Sequence, residues 1–134
     1  MTLLRLILLF IMFNFSISGW SQHMYDRSGS LIGRYDDGKI YDHSGAYVGK
    51  VDGSRIYDRS GAYLGCERDG KFYDHSGSYL GYTNSERFYD RTGAYKGYFR
   101  NGNVYDHTGA LIGRGNIPTV IVALVYIYGI FPLR

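Results

Sequence analysis

A tract of the form Tyr-Asp-x-Ser/Thr-Gly starts at Tyr25 and returns at Tyr41, Tyr57, Tyr73, Tyr89 and Tyr105, a period of 16 residues without insertion or deletion. A period this short is the strongest constraint on the fold. One unit cannot bury a hydrophobic face alone and must share a core with its copies. A second glycine follows four residues after the first in every unit, at Gly33, Gly49, Gly65, Gly81, Gly97 and Gly113.

Each unit reads as two short strands and two turns. Asp26, Asp42, Asp58, Asp74, Asp90 and Asp106 open the first turn, where a short carboxylate accepts hydrogen bonds from amides further along. Gly29, Gly45, Gly61, Gly77, Gly93 and Gly109 end it, in the left-handed conformation that a three-residue hairpin loop with a bulge requires. The second turn is Asp36-Asp37-Gly38, Asp52-Gly53, Asp69-Gly70 or Asn101-Gly102, and Asn84-Ser85-Glu86 holds that place without glycine. Met24, Ile40, Ile56, Phe72, Phe88 and Val104 precede the repeated tyrosine. Neighbours on a strand point to opposite faces, so these residues mark a core face and the tyrosines the other face. Ile32, Val48, Leu64, Leu80 and Ile112 lie on the returning strand, where Lys96 breaks the series. A second aromatic series runs through Tyr47, Tyr63, Tyr79 and Tyr95.

An isolated hairpin is marginal in water, and an open row of hairpins exposes edges that invite aggregation. Radial closure removes most of that hazard. The expected fold is all-β: a closed or near-closed meander of short β-hairpins, five to six petals, with an apolar C-terminal segment packed on it as a plug or cap. The second glycine of each unit is expected to permit close backbone approach near the axis. Repeats occupy residues 22–117 and the apolar segment 118–134. That segment contains the run VIVALVYIYGIF, which is shorter than a membrane-spanning helix needs; periodicity alone leaves both a helix and a strand open for it.

Residues 1–21 read as a bacterial-type secretory signal. Arg5 is followed by the apolar stretch from Leu6 to Phe13, and Gly19-Trp20-Ser21 fits a small-x-small cleavage site before Gln22. The expected location is therefore exported, periplasmic or extracellular, without a stable transmembrane anchor. Cys66 is the only cysteine, so no intrachain disulfide supports the fold. It reads as a small residue at a variable position also occupied by Arg34, Lys50, Tyr82, Tyr98 and Arg114.

The net charge is +3, with charges alternating in sign along the chain and no basic run. This reads as solvated scatter rather than the basic stripe of a nucleic-acid binder. The six aspartates invite a calcium hypothesis, yet calcium loops place several oxygen ligands in one short stretch, and each turn here offers one. His43, His75 and His107 alternate with Arg27, Arg59 and Arg91 at one turn position, which suggests duplication of a 32-residue pair. They fall at separate turn tips, poorly placed to share a zinc ion. No cofactor, metal or catalytic residue is expected. A metal-dependent or hydrolytic enzyme using the repeated His and Asp residues is the alternative. Candidate contact residues are His43, Tyr63, His75, Tyr79 and His107, because exposed tyrosine combines contact area with a polar tip; envelope glycan or protein are the partners considered.

The Y-D-x-S/T-G-x-x-x-G units resemble the bacterial β-flower proteins, in particular the five-fold β-flower family, from Tyr25 to about Ile117. That resemblance implies small hairpins set like petals around an axis, and it brings no assigned activity. The tract is also somewhat similar to the tyrosine-aspartate repeats of large secreted toxin shells, which are longer and form far larger arrays. A non-catalytic structural or binding module is the functional expectation.

Overall fold

The computed structural model describes residues 22–133. The expected signal segment, residues 1–21, lies outside them. Twelve strands follow in chain order: β1 (Gln22–Asp26), β2 (Leu31–Asp36), β3 (Lys39–Asp42), β4 (Tyr47–Asp52), β5 (Arg55–Asp58) and β6 (Tyr63–Arg68). The second half contains β7 (Lys71–Asp74), β8 (Tyr79–Asn84), β9 (Arg87–Asp90), β10 (Tyr95–Arg100), β11 (Asn103–Asp106) and β12 (Leu111–Gly115). Every strand pairs antiparallel with its sequence neighbours, and β1 pairs with β12 through Met24↔Gly115, Tyr25↔Arg114 and Asp26↔Gly113. The meander closes into a barrel of six petals, with the two ends of the sheet zipped together.

The register explains both glycine series. Met24 faces Gly33, Ile40 faces Gly49, Ile56 faces Gly65, and the pattern continues through Phe72↔Gly81, Phe88↔Gly97 and Val104↔Gly113. The inner wall thus alternates a bulky side chain with a bare backbone. A register shift beside each pair inserts one extra residue in the returning strand. Such a bulge resets the inside–outside alternation. It lets Ile32 turn toward the core although Gly33 beside it already faces inward; Ile32 is buried, and Val48, Leu64, Leu80 and Ile112 pack against the core partly covered.

Eight strands make a barrel narrow enough for wall side chains to fill. Twelve strands with glycine at every second inner position leave an axial space, and the C-terminal segment fills it. It does so as a helix: α1 (Thr119–Val122) continues directly into a π-helical stretch, Ala123–Ile127. Pro118 precedes the first turn, and its carbonyl accepts from the Ile121 and Val122 amides at 3.0 and 3.1 Å. A helix that is apolar all round is stable only where it is surrounded. Ile121, Val122, Leu124, Val125 and Phe131 are each at most 3% exposed. Tyr126 sits against Gly113, Tyr128 against Gly81, Phe131 against Gly49 and Leu133 against Gly33, so the plug meets the ring in the reverse of its chain order.

The two-residue turns carry one local strain. Both central residues are left-handed at Asp37-Gly38, Asp69-Gly70 and Asn101-Gly102, the pattern of type I′ hairpins. At Ser85-Glu86 the same geometry is held without glycine, with φ of 50° and 71°. A non-glycine residue there costs about 1–2 kcal/mol. Glu86→Gly is therefore expected to stabilise the protein by about 0.5–1 kcal/mol, read as a higher urea midpoint at unchanged slope. A lower midpoint would show that Glu86 makes compensating contacts.

Candidate functional site

Each first-turn aspartate holds its own turn through one carboxylate oxygen. In the turn after β5, Asp58 Oδ1 accepts from the Ser60 amide at 2.9 Å, the Ser60 hydroxyl at 2.7 Å and the Ala62 amide at 2.9 Å. Asp26, Asp42, Asp74, Asp90 and Asp106 repeat this set. Gly61 follows with φ of 87°, as do its five counterparts within a degree. The Ser60 hydroxyl first and the Ala62 amide second hold the Asp58 carboxyl below its usual 3.8. The other five aspartates shift the same way, led in each case by the Ser or Thr hydroxyl.

This shift gives a pH dependence whose sign follows from linkage. A depressed carboxyl pKa in the folded state means the unfolded state binds more protons as pH falls. The stabilisation is complete above the unfolded value near 3.8 and is lost as pH drops through the lower folded values. With six such groups, the melting temperature should be level near neutrality and fall steeply below about pH 4. Asp58→Asn removes one titrating group and should make that acid limb shallower. A melting temperature unchanged down to pH 3 would contradict the assignment.

His43, His75 and His107 are exposed at the tips of three separate petals. Among the described residues, no three His, Cys, Asp or Glu side chains come together as a metal-binding group. The tyrosines do come together, on the outer wall. Tyr41 meets Tyr47 at 5.8 Å between ring centroids, Tyr57 meets Tyr63 at 6.1 Å, Tyr73 meets Tyr79 at 5.7 Å and Tyr89 meets Tyr95 at 5.9 Å. Stacked pairs, Tyr82–Tyr89 at 4.8 Å and Tyr98–Tyr105 at 4.6 Å, link neighbouring petals. Where the cross-strand partner is basic, a cation covers the ring instead, with the Arg34 guanidinium 3.9 Å from the Tyr41 centroid. The wall therefore carries a belt of aromatic rings and cations.

Two grooves open in this belt. One, of about 610 Å³, is lined by Tyr63, Cys66, Arg68, Lys71, Tyr73 and His75, with Asp69 on its lip. The other, of about 250 Å³, is lined by Arg87, Tyr95, Tyr98 and Arg100, with Ser85 and Glu86 on its lip. Tyr63 and Tyr95 are exposed, at 41% and 38%, while Tyr79 is half-buried beside Tyr73. The hydrogen bond with the Cys66 thiol raises the Tyr63 pKa, burial adds to it, and the nearby charges of Arg55 and Arg68 oppose it. Burial is also the leading cause at Tyr79 and Tyr95, again upward. These phenols stay protonated donors at neutral pH.

Of the residues singled out from sequence, Tyr63 and His75 share a groove, while His43 and His107 stand apart from both. Arg68, Lys71, Arg87, Tyr95 and Arg100 were not singled out. A signal for them exists: Arg68 and Arg100 each stand five residues after an exposed tyrosine, and they are 32 residues apart.

The model of a family described as "5-fold beta-flower protein" matches residues 21–131, plug included. No curated protein and no solved structure matches the chain.

Proposed function

We propose that this chain, which belongs to the 5-fold beta-flower family, is an exported, non-catalytic module that binds a component of the cell envelope through the outer wall of its barrel. The observation that carries this reading is where the chemistry-bearing groups stand. The axis is occupied by the chain's own C-terminal helix, and each repeated aspartate braces its own turn and stands apart from the others. What remains open to a partner is the belt of tyrosines and cations. Aromatic residues and arginine are the side chains that dominate contact energies at recognition surfaces. Six petals close this barrel, one more than the family description counts, and the belt is correspondingly long.

The wall also argues for life in water. Its outer face carries tyrosine, lysine and arginine and its inner face apolar side chains and glycine, the reverse of a membrane-spanning barrel. No helix among the described residues is long and apolar enough to cross a membrane.

The test is co-sedimentation of the processed protein with envelope fragments of its host. Binding that survives His43→Ala/His75→Ala/His107→Ala but weakens on Tyr63→Ala/Tyr95→Ala supports the proposal. No retention on envelope fragments sinks it, as does a hydrolytic activity that the histidine substitutions abolish without unfolding the barrel.

A further inference from the structure

The charges alternate in sign along the chain, and strand pairing sets some of the cations side by side, Lys39 with Lys50 and Arg68 with Lys71. Lys39, Arg55, Lys71 and Arg87 precede inward-facing core residues and so point outward, each in the last strand pair before a two-residue turn. Arg34, Lys50 and Arg114 lie opposite tyrosines in the adjoining register. Carboxylates stand in the Asp-x-Ser/Thr-Gly turns and around the two-residue turns, where Asp36 and Asp52 pair directly across the strands with Lys39 and Arg55. One ion pair forms among the described residues, Arg34 to Asp36 at 3.9 Å. Arg68, Lys71, Arg87 and Arg100 have no carboxylate partner there.

Those four cations belong to the two grooves, two to each, beside Tyr63 and Tyr95. The acids Asp69 and Glu86 on the lips leave each groove with an excess of positive charge. The span between the grooves is aromatic: Tyr73 meets Tyr79, and Tyr82, Tyr89 and Tyr95 continue in contact across β8, β9 and β10. From β6 to β10 is four strand spacings, an arc of about 19 Å.

We propose that the two grooves and the aromatic track between them form one receptor for a linear glycan bearing carboxylate groups. This deepens the envelope-binding reading and rests on it. The grooves take acidic sugars: guanidinium groups match carboxylates in two-point hydrogen bonds, and an exposed tyrosine ring lies against the flat C–H face of a sugar. Between the grooves the Tyr82 and Tyr89 rings lie on each other, with planes 17° apart. Their faces are covered while their hydroxyls remain as donors and acceptors for sugar hydroxyls. This is also why the occupant is not a nucleic acid. Single strands need a free aromatic face for successive bases and a basic groove that tracks every phosphate, whereas here the free faces and the paired cations come once per groove.

Oligogalacturonates of increasing length are the probe, titrated against the intact protein by calorimetry. Affinity is expected to weaken with added salt and to rise about tenfold or more once the oligomer reaches both grooves, because the second contact becomes intramolecular. Arg68→Ala/Arg100→Ala, checked for an unchanged circular dichroism spectrum, should abolish that length step. Neutral maltooligosaccharides of equal length should bind at least tenfold more weakly. Equal binding of the neutral series, tighter binding of oligothymidylate, absence of the length step, or no binding at low salt would each overturn the proposal. If Arg68→Ala/Arg100→Ala still co-sediments with envelope fragments like the unaltered protein, the acidic-glycan receptor falls while envelope binding stands. If the unaltered protein fails to co-sediment, the broader reading falls with it.

Discussion

Removal of residues 120–134 should leave a chain that no longer folds as a monomer at room temperature. Seven of the sixteen buried apolar residues among those described lie between Ile121 and Phe131. Burial of one Val, Leu, Ile or Phe side chain is worth about 1.5–3 kcal/mol. Ile121, Val122, Leu124, Val125 and Phe131 together match the whole stability of a small domain, about 5–15 kcal/mol. The loss is compounded because Met24, Ile40, Ile56, Phe72, Phe88 and Val104 would then line an empty axis, and the wall has no side chains of its own to collapse into it. Loss of the strand signal in circular dichroism, or aggregation in analytical ultracentrifugation, would report this. A milder variant keeps the prediction quantitative: Leu124→Ala is expected to cost about 2–5 kcal/mol. A truncated protein that stays folded, monomeric and more soluble would mean that the tail serves an interaction outside the barrel.

Gly81→Ala should be the more damaging of two outwardly similar substitutions, when compared with Gly61→Ala. Gly61 has a φ of +87° with open space where a Cβ would stand. Its replacement carries only the left-handed penalty, about 1–2 kcal/mol. Gly81 has a φ of +151°, and a Cβ there would overlap the Tyr89 carbonyl and come within 2.8 Å of the Tyr128 hydroxyl. Neither neighbour can retreat easily. The carbonyl is main chain, and it accepts the Tyr128 hydroxyl at 2.7 Å. Burial first, and the neighbouring Tyr79 second, push the Tyr128 phenol well above its ordinary pKa, so it stays a donor into that bond. Backbone strain and overpacking together should cost roughly 2–6 kcal/mol, seen as a fall in the urea midpoint well beyond that of Gly61→Ala. Equal effects at the two positions would mean that the inner ring is looser than its geometry indicates.

The two glycine series mark how far sequence reasoning reaches. The turn series was legible because Asp-x-Ser/Thr-Gly is a local device: every partner of Asp58 lies within four residues of it. The inner series announced only its period. Its purpose depends on groups far along the chain, with Gly33 meeting Leu133 and Gly113 meeting Tyr126 and the Tyr25 carbonyl. The same holds for the candidate site. Tyr63 could be picked out as an aromatic beside a core position, but its groove is completed by Lys71 and Tyr73 of the next petal. Ile32 and its counterparts fit a core pattern in sequence only because a bulge, itself invisible there, turns them inward.

By itself the sequence determined the hairpin unit, the positions of its turns, the all-β class and the need for the units to close on one another, since each follows from residues within one 16-residue period or from its repetition. Tertiary structure decided the rest. A repeated unit carries no mark of how many copies complete a ring, because closure depends on the accumulated tilt and stagger of all the strands; six petals close here through β1 and β12. The tail is a helix rather than a thirteenth strand because every strand edge is already paired and only the axis is left to receive it. The two grooves exist only once β6 pairs with β7 and β9 with β10, which sets side chains of neighbouring strands side by side.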